Sequence, residues 1–417
     1  MYNWKFVRKG IIIMAEYESI IIESTEKPPV TEGLEDKFQT LKTLIVSSAH
    51  LVHDTYAGFI APLLPYLIER MSLLKVEAGM FLFLYQGASV LQPVIGHLGD
   101  KTNLRKYALV MPAITGISLS LLGIAPTYYY GLMLCLIAGL SSASMHSILP
   151  ALVARLSGKH VGKGMSFWMV GGEIGIMLGP ILVASVISLF TIKATPWLMI
   201  PGIVVSITLS ILLRRMPHHN INTSHQAKIP MKEMMAIMLP LAGVMAMRSL
   251  LRTASEIYLP VYLIEEGVNK FLAVSSISLL LGFGVLGTIA GGFLKDKFGF
   301  KKVMIMSVFF GSLGMIFFSK TIGFLQVASL VLMGTTSMMI LPAGLALVQE
   351  SFPNNRSLAN GSFLAIVFAL NAIAGVVTGF MYDKIGGNLT FLISGFISFL
   401  GIPFIFLLPK EVKTDKN

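Results

Sequence analysis

The chain carries one cysteine in 417 residues, Cys135, inside an apolar stretch. A single thiol excludes an intrachain disulfide and a thiolate metal site. Charged residues are also scarce, at 13%, too few to cover the surface of a soluble domain of this length. The sequence has no phosphate-cradling glycine loop, no zinc-ligand signature and no nucleophile elbow, so an enzyme is not expected. Ten-residue segments of alternating polarity are missing too, which argues against a membrane β-barrel.

What remains is hydrophobic, at 54% of residues. A helix needs about 20 apolar residues to cross roughly 30 Å of hydrocarbon, and from about residue 40 onward the chain supplies such stretches repeatedly. The expected fold is an all-α membrane protein of twelve spans, at 41–69, 76–98, 104–125, 127–155, 160–190, 194–214, 233–264, 271–295, 302–319, 321–350, 355–382 and 388–409. Residues 1–40 read as a flexible cytoplasmic extension. Their apolar runs at Ile11–Ile13 and Ile20–Ile22 are too short to cross a bilayer, and Met14 is an alternative start. A polar linker at 215–232 separates an N-terminal six-helix bundle, 41–214, from a C-terminal one, 233–409, and 410–417 form a short tail. The linker histidines His218, His219 and His225 fit no ligand spacing, so neither a metal nor a cofactor is expected.

The net charge of +11 reflects topology rather than nucleic-acid binding. With a cytoplasmic N-terminus, most Lys and Arg fall in the termini and in the loops on that side. Arg70, Lys75, Lys193, Lys270, Lys320 and Lys384 are the ones left on the other side. This bias places both termini in the cytoplasm of a cell or inner membrane, in contact with its lipids.

The halves are copies of one another. GHLGDKTNLRK at 96–106 recurs as GFLKDKFGFKK at 292–302, and the same offset maps Tyr66-Leu67-Ile68-Glu69 onto Tyr262-Leu263-Ile264-Glu265. Duplicated bundles suit a transporter whose midplane site opens to either side in turn. In the repeated loop Gly96, Asp100 and Arg105, with Gly292, Asp296 and Lys301, are the candidate gating residues. The glycine permits close helix approach, and the aspartate sits at a helix end where it can bond a base or a helix N-terminus.

Ionisable side chains inside spans cost about 2.5–3.5 kcal/mol each, so each needs a reason. Span 1 carries His50, His53 and Asp54 on one helix face, span 4 His146 and span 5 Glu173; span 7 carries Arg248, Arg252 and Glu256 as one stripe. The repeat mirrors none of them, which is the asymmetry expected of a site. Asp54 and Glu173 are the candidate proton carriers. His50, His53, His146, Arg248, Arg252 and Gln349 are the candidate substrate ligands, with an arginine expected beside Asp54 or Glu173. Gly175-x-x-x-Gly179-Pro180 in span 5 is a candidate helix-packing motif.

The loop pattern resembles the signature of the major facilitator superfamily. The second copy matches it throughout; the first has Asn103 in place of the pattern's glycine. Gly175 to Pro180 resembles that superfamily's antiporter motif without its trailing glycines. A closer likeness, over about residues 45–382, is to the fosmidomycin-resistance branch. SAHLVHD at 48–54, Gln92-Pro93, RLSGKHVGKGMSFWMVGGEIGIMLGPIL at 155–182, Arg248-Ser249, Leu259 to Glu265, and Ile340 to Ala343 with Gln349-Glu350 carry it. The resemblance implies proton-coupled export of a small drug-like or anionic molecule by a chain that works as a monomer. His50, Asp54, His146, Arg248 and Gln349 fall on the branch's polar positions. Where the branch commonly has Pro-Glu after the span-4 histidine, Ser147 and Ile148 stand here, and Glu173 is expected to restore the carboxylate. Proton-coupled uptake of an organic acid is the alternative within the class, and a non-transporting membrane sensor the alternative outside it.

Overall fold

The computed structural model describes residues 38–101, 105–157, 161–213, 231–352 and 356–409. Residues 1–37, most of the linker and the C-terminal tail lie outside the described residues. Among the described residues there are helices and turns and no strand. This suits a bilayer, where every backbone polar group must be satisfied within its own segment.

Nine helical stretches among the described residues are long and apolar enough to cross a membrane. One of them, Ala359–Leu407, has 49 residues and would reach about 74 Å as a single rod, more than twice the hydrocarbon thickness. It is two spans, broken at Gly386, whose φ of 77° an L side chain rarely adopts. Span 1 is split into Thr40–Ala57 and Ile60–Met71 around Gly58. In span 3 the main helix is the short Met111–Leu122. With these the twelve expected spans are accounted for.

Several spans bend where the sequence provides a cause. Span 2 passes through a tight turn at Ala88–Leu91 just before Pro93, span 7 through a π-helical turn at Ala254–Tyr258 just before Pro260, and span 10 is interrupted at Met338–Met339 before Pro342. Proline removes a backbone donor and crowds the preceding turn, so the chain widens or breaks there. Helical irregularities of this kind are common at functional sites.

The packing has pseudo-two-fold symmetry. Span 1 lies along span 5 as span 7 lies along span 11, and span 3 lies along span 4 as span 9 lies along span 10. Between halves, span 2 packs on span 11 and span 5 on span 8, pairs that exchange when the halves are swapped. Glycine sets the first of these crossings, because a Cβ at Gly79 would collide with the carbonyl of Gly375.

The halves are tied together at the end where span 1 turns into span 2. The Asp383 carboxylate accepts from the backbone N–H groups of Lys75 (2.9 Å) and Val76 (2.8 Å), capping the helix Lys75–Gly87. A carboxylate there meets the positive end of the helix dipole, worth about 0.3–1 kcal/mol. Lys75 pairs with Glu265 at 3.0 Å, Lys270 with Glu69 at 2.5 Å, and the Tyr258 hydroxyl donates to the Lys75 carbonyl at 2.9 Å. A buried apolar cluster with Leu63, Leu67 and Phe81 from one half and Tyr258, Leu259 and Ala273 from the other backs these bonds.

Candidate functional site

Glycines on span 5 decide how span 1 presents its polar face. A Cβ at Gly171, Gly175 or Gly179 would run into the backbone carbonyls of Ser47, Leu51 and Thr55. The two helices are thus in backbone contact along successive turns, which is the close approach small residues permit in membranes. Gly175 and Gly179 both lie at this contact. Gly172 does something further: a Cβ there would lie 2.5 Å from the His50 ring and 2.8 Å from Asp54 Oδ2. It leaves the volume that the polar cluster fills.

That cluster gathers His50, His53 and Asp54 of span 1 with His146 of span 4. His50 Nε2 lies 3.0 Å from Asp54 Oδ2 and 3.1 Å from His146 Nε2. His146 Nε2 lies 3.4 Å and His53 Nδ1 2.8 Å from Asp54 Oδ1. The outer nitrogens are anchored as well. His50 Nδ1 donates to the Trp168 carbonyl at 2.7 Å, and His146 Nδ1 to the Ser142 carbonyl at 2.9 Å. His53 Nε2 meets Thr115 Oγ1 at 3.1 Å, and Thr115 bonds on to Ser141, which donates to the Met111 carbonyl. The Trp168 ring stacks flat on His50, with centroids 3.7 Å apart and planes 8° off parallel. Asp54 is 5% exposed, so this network, not water, surrounds its carboxylate.

A second polar group belongs to span 7. Arg252 Nε donates to Glu256 at 2.9 Å, one turn on and inside the π-helical turn. Glu173 of span 5 is within electrostatic reach of both from the opposite half, and of Asp54 in its own. Among the described residues Glu173 has no hydrogen-bond partner. The arginine within electrostatic reach of Glu173 is Arg252. Arg248, 4% exposed, instead donates through Nη2 to the Ser337 carbonyl at the break in span 10, and among the described residues its Nε–H has no acceptor.

The remaining sequence candidates lie elsewhere. Gln349 is in the last turn of Ile340–Ser351, twelve residues or about 18 Å along span 10 from Ser337. Its neighbour Glu350 pairs with Lys295 in the repeated loop, so Gln349 belongs to that end of the bundle and not to the midplane. Lys301 donates to the Leu408 carbonyl at 2.7 Å, tying the same loop to the end of span 12. The side chains of Asp100, Arg105 and Asp296, and the surroundings of Gly96, lie outside the described residues. Among the described residues, a Cβ on Gly292 would meet nothing within 4 Å. Sequence reasoning missed Trp168, Thr115, Ser142 and Gly172. An aromatic residue and a glycine flanking the glutamate turn of span 5 were the available signal, but which helix they face depends on packing.

Titratable groups thus sit in two facing bundles related by a pseudo-two-fold, which is the layout of alternating-access carriers. The sequence profile of the Major Facilitator Superfamily matches residues 46–294 and 277–417. The chain belongs to the major facilitator superfamily. As a member it is a transporter of small molecules rather than an enzyme. It is similar to the fosmidomycin resistance protein of Escherichia coli K12, 26% identical over 378 residues that cover 87% of this chain and 91% of that protein. A Bacillus subtilis 168 MFS-type transporter, YfnC, is 27% identical over 388 residues, 89% of this chain and 93% of that one. Among solved structures, a D-xylose–proton symporter superposes with a TM-score of 0.71 at 18% identity, over 89% of this chain and 98% of that chain. At that identity the last likeness concerns the fold alone.

Proposed function

We propose that this major facilitator exports a small anionic or drug-like molecule across a cytoplasmic membrane in exchange for protons. The observation that carries the reading is the placement of Glu173. Among the described residues it is a carboxylate without a hydrogen-bond partner, set on one half and within electrostatic reach of the Arg252–Glu256 pair on the other. Carboxylates inside spans are the usual proton relays of transporters, and one at the seam between rocking halves changes surroundings when they move. Asp54, the other candidate carrier, is engaged by three imidazoles, so the proton is assigned to Glu173. Arg252, and Arg248 with its unused Nε–H, supply the positive charge for an anionic cargo. Export is supported by the similarity to the fosmidomycin resistance protein and by the span-5 packing motif.

With both termini placed in the cytoplasm by the positive-inside bias, the end tied by Asp383, Glu265 and Glu69 is the outer one. The conformation is then closed to the outside.

Counterflow and gradient-driven uptake in proteoliposomes, against a panel of phosphonates, organic acids and neutral drugs, test the reading. Glu173→Gln should abolish accumulation driven by a pH gradient while exchange of preloaded substrate continues. Full gradient-driven transport by that variant would exclude the assignment. Proton-coupled uptake of an organic acid is the second reading, since a carboxylate at the seam can couple protons to transport in either direction. The direction of gradient that drives accumulation separates the two.

A further inference from the structure

We infer that His50, Asp54 and His146 form a binding site for a zinc-class divalent cation, with one coordination position open. This goes beyond the transport reading and does not depend on it.

His50 and His146 each face a backbone carbonyl through Nδ1, of Trp168 and of Ser142. A carbonyl can only accept, so both Nδ1 atoms carry the hydrogen, and in a neutral ring the Nε2 atom is then left with a lone pair. Both Nε2 atoms point at the same place. They are 3.1 Å from each other and 3.0 and 3.4 Å from the two oxygens of Asp54, themselves acceptors. His53 supplies at most one hydrogen, to Oδ1. Four lone-pair atoms therefore converge in a buried pocket with no positive centre between the two imidazoles. Such an arrangement calls for a positive centre, either a proton on one imidazole or a bound metal cation, and the two outward-facing Nδ1–H groups leave both Nε2 atoms set to ligate a metal.

The geometry fits a metal ion. Zinc binds imidazole nitrogen at about 2.0–2.1 Å and carboxylate oxygen at about 2.0–2.2 Å, nearly always tetrahedrally. The edges of such a tetrahedron come to about 3.3 Å; the two Nε2 atoms are 3.1 Å apart, and each lies beside one oxygen of the Asp54 carboxylate, His50 at 3.0 Å from Oδ2 and His146 at 3.4 Å from Oδ1. One ligand atom from each of the three residues lies within 4.8 Å of the others. Outer contacts fit as well. Each histidine donates its far N–H to a backbone carbonyl, the partner that fixes tautomer and ring orientation in metal sites, and His53 holds the carboxylate. Two imidazoles with one carboxylate favour Zn²⁺, Co²⁺ or Ni²⁺ over Mg²⁺ or Ca²⁺, which take oxygen ligands. The side chains of His50 and Asp54 are 6% and 7% exposed, but that of His146 is 27% exposed. The open fourth position therefore lies on the His146 side, where a donor group of the cargo can reach it. Local spacing in the sequence gave no metal signal because His146 comes from a different helix.

The purified full-length protein, titrated with Co²⁺ and followed by visible absorption, tests this directly. Wild type should bind one Co²⁺ with the intense bands of a four-coordinate ion, and Zn²⁺ should bleach them stoichiometrically. His146→Gln and Asp54→Asn should each weaken Zn²⁺ binding at least about tenfold. The triple variant His218→Ala, His219→Ala, His225→Ala should bind as wild type does. Absence of a four-coordinate spectrum in wild type would overturn the proposal without reference to any variant's folding. So would stoichiometric binding that survives loss of His146 and Asp54 but disappears with the linker histidines. Loss of transport in the Glu173→Gln assay has no bearing on this readout, so the two readings fail separately.

Discussion

At the scale of single residues, two positions separate packing from binding. Gly172 has no side chain to contribute, yet a methyl group there would press on both the His50 ring and the Asp54 carboxylate. Gly172→Ala should therefore leave the helix pair nearly as stable, since alanine is the better helix former, while displacing His50. Transport should fall at least about tenfold, a barrier change of roughly 1.4 kcal/mol, with the protein still monodisperse by size-exclusion chromatography. Wild-type turnover in that variant would show that the cluster geometry does not matter to transport. Arg248 presents the opposite case, a buried guanidinium bonded to the Ser337 carbonyl. Arg248→Ala leaves that carbonyl unpaired, at a cost of about 1–3 kcal/mol, visible as a lower melting temperature in detergent. Arg248→Lys keeps the charge but loses the planar fork, so binding of an anionic cargo should weaken more than that of a neutral one. Equal stability and equal binding in both variants would remove Arg248 from either role.

At the scale of elements, the crossing of spans 2 and 11 is where a glycine's lack of a Cβ is used most directly. A side chain at Gly79 would meet the Gly375 carbonyl and the Tyr258 hydroxyl, the same hydroxyl that bonds the Lys75 and Gly375 carbonyls. Gly79→Val should hold the two spans apart and populate the state open at this end. The readout is labelling of a cysteine placed at Leu67, buried at this end of the seam, in a background where Cys135 has been replaced by serine. Because Cys135 is the chain's only cysteine and is buried, that background requires one substitution. Labelling should accelerate in Gly79→Val. An unchanged labelling rate would mean that the crossing does not control closure.

At the scale of the whole molecule, the ion pairs and the cap at Asp383 all cross between halves at one end. If the halves rock about a central site, these bonds must break once in every cycle. Replacing both partners of the Lys270–Glu69 pair by cysteine, again without Cys135, provides two thiols across the seam that a short, reducible bifunctional cross-linker can join. Cross-linking should stop transport and reductive cleavage of the linker should restore it. A cross-linked protein that turns over as fast as the cleaved one would contradict alternating access through this end.

The sequence alone determined the number of spans, their duplication and the identity of the buried ionisable residues. Each of these follows from local rules: apolar length, the repeated loop, and the cost of a charge in hydrocarbon. His50, His53 and Asp54 could be placed on one face because helix geometry fixes neighbours at three and four residues. Tertiary structure decided which residues meet across helices. That His146 joins this face, and that Arg252 comes within electrostatic reach of Glu173, depend on how helices rotate and cross. Those rotations are set by glycine contacts such as Gly172 on His50 and Gly79 on Gly375. Their partners lie far apart in the chain, and without a crossing geometry no spacing rule connects them.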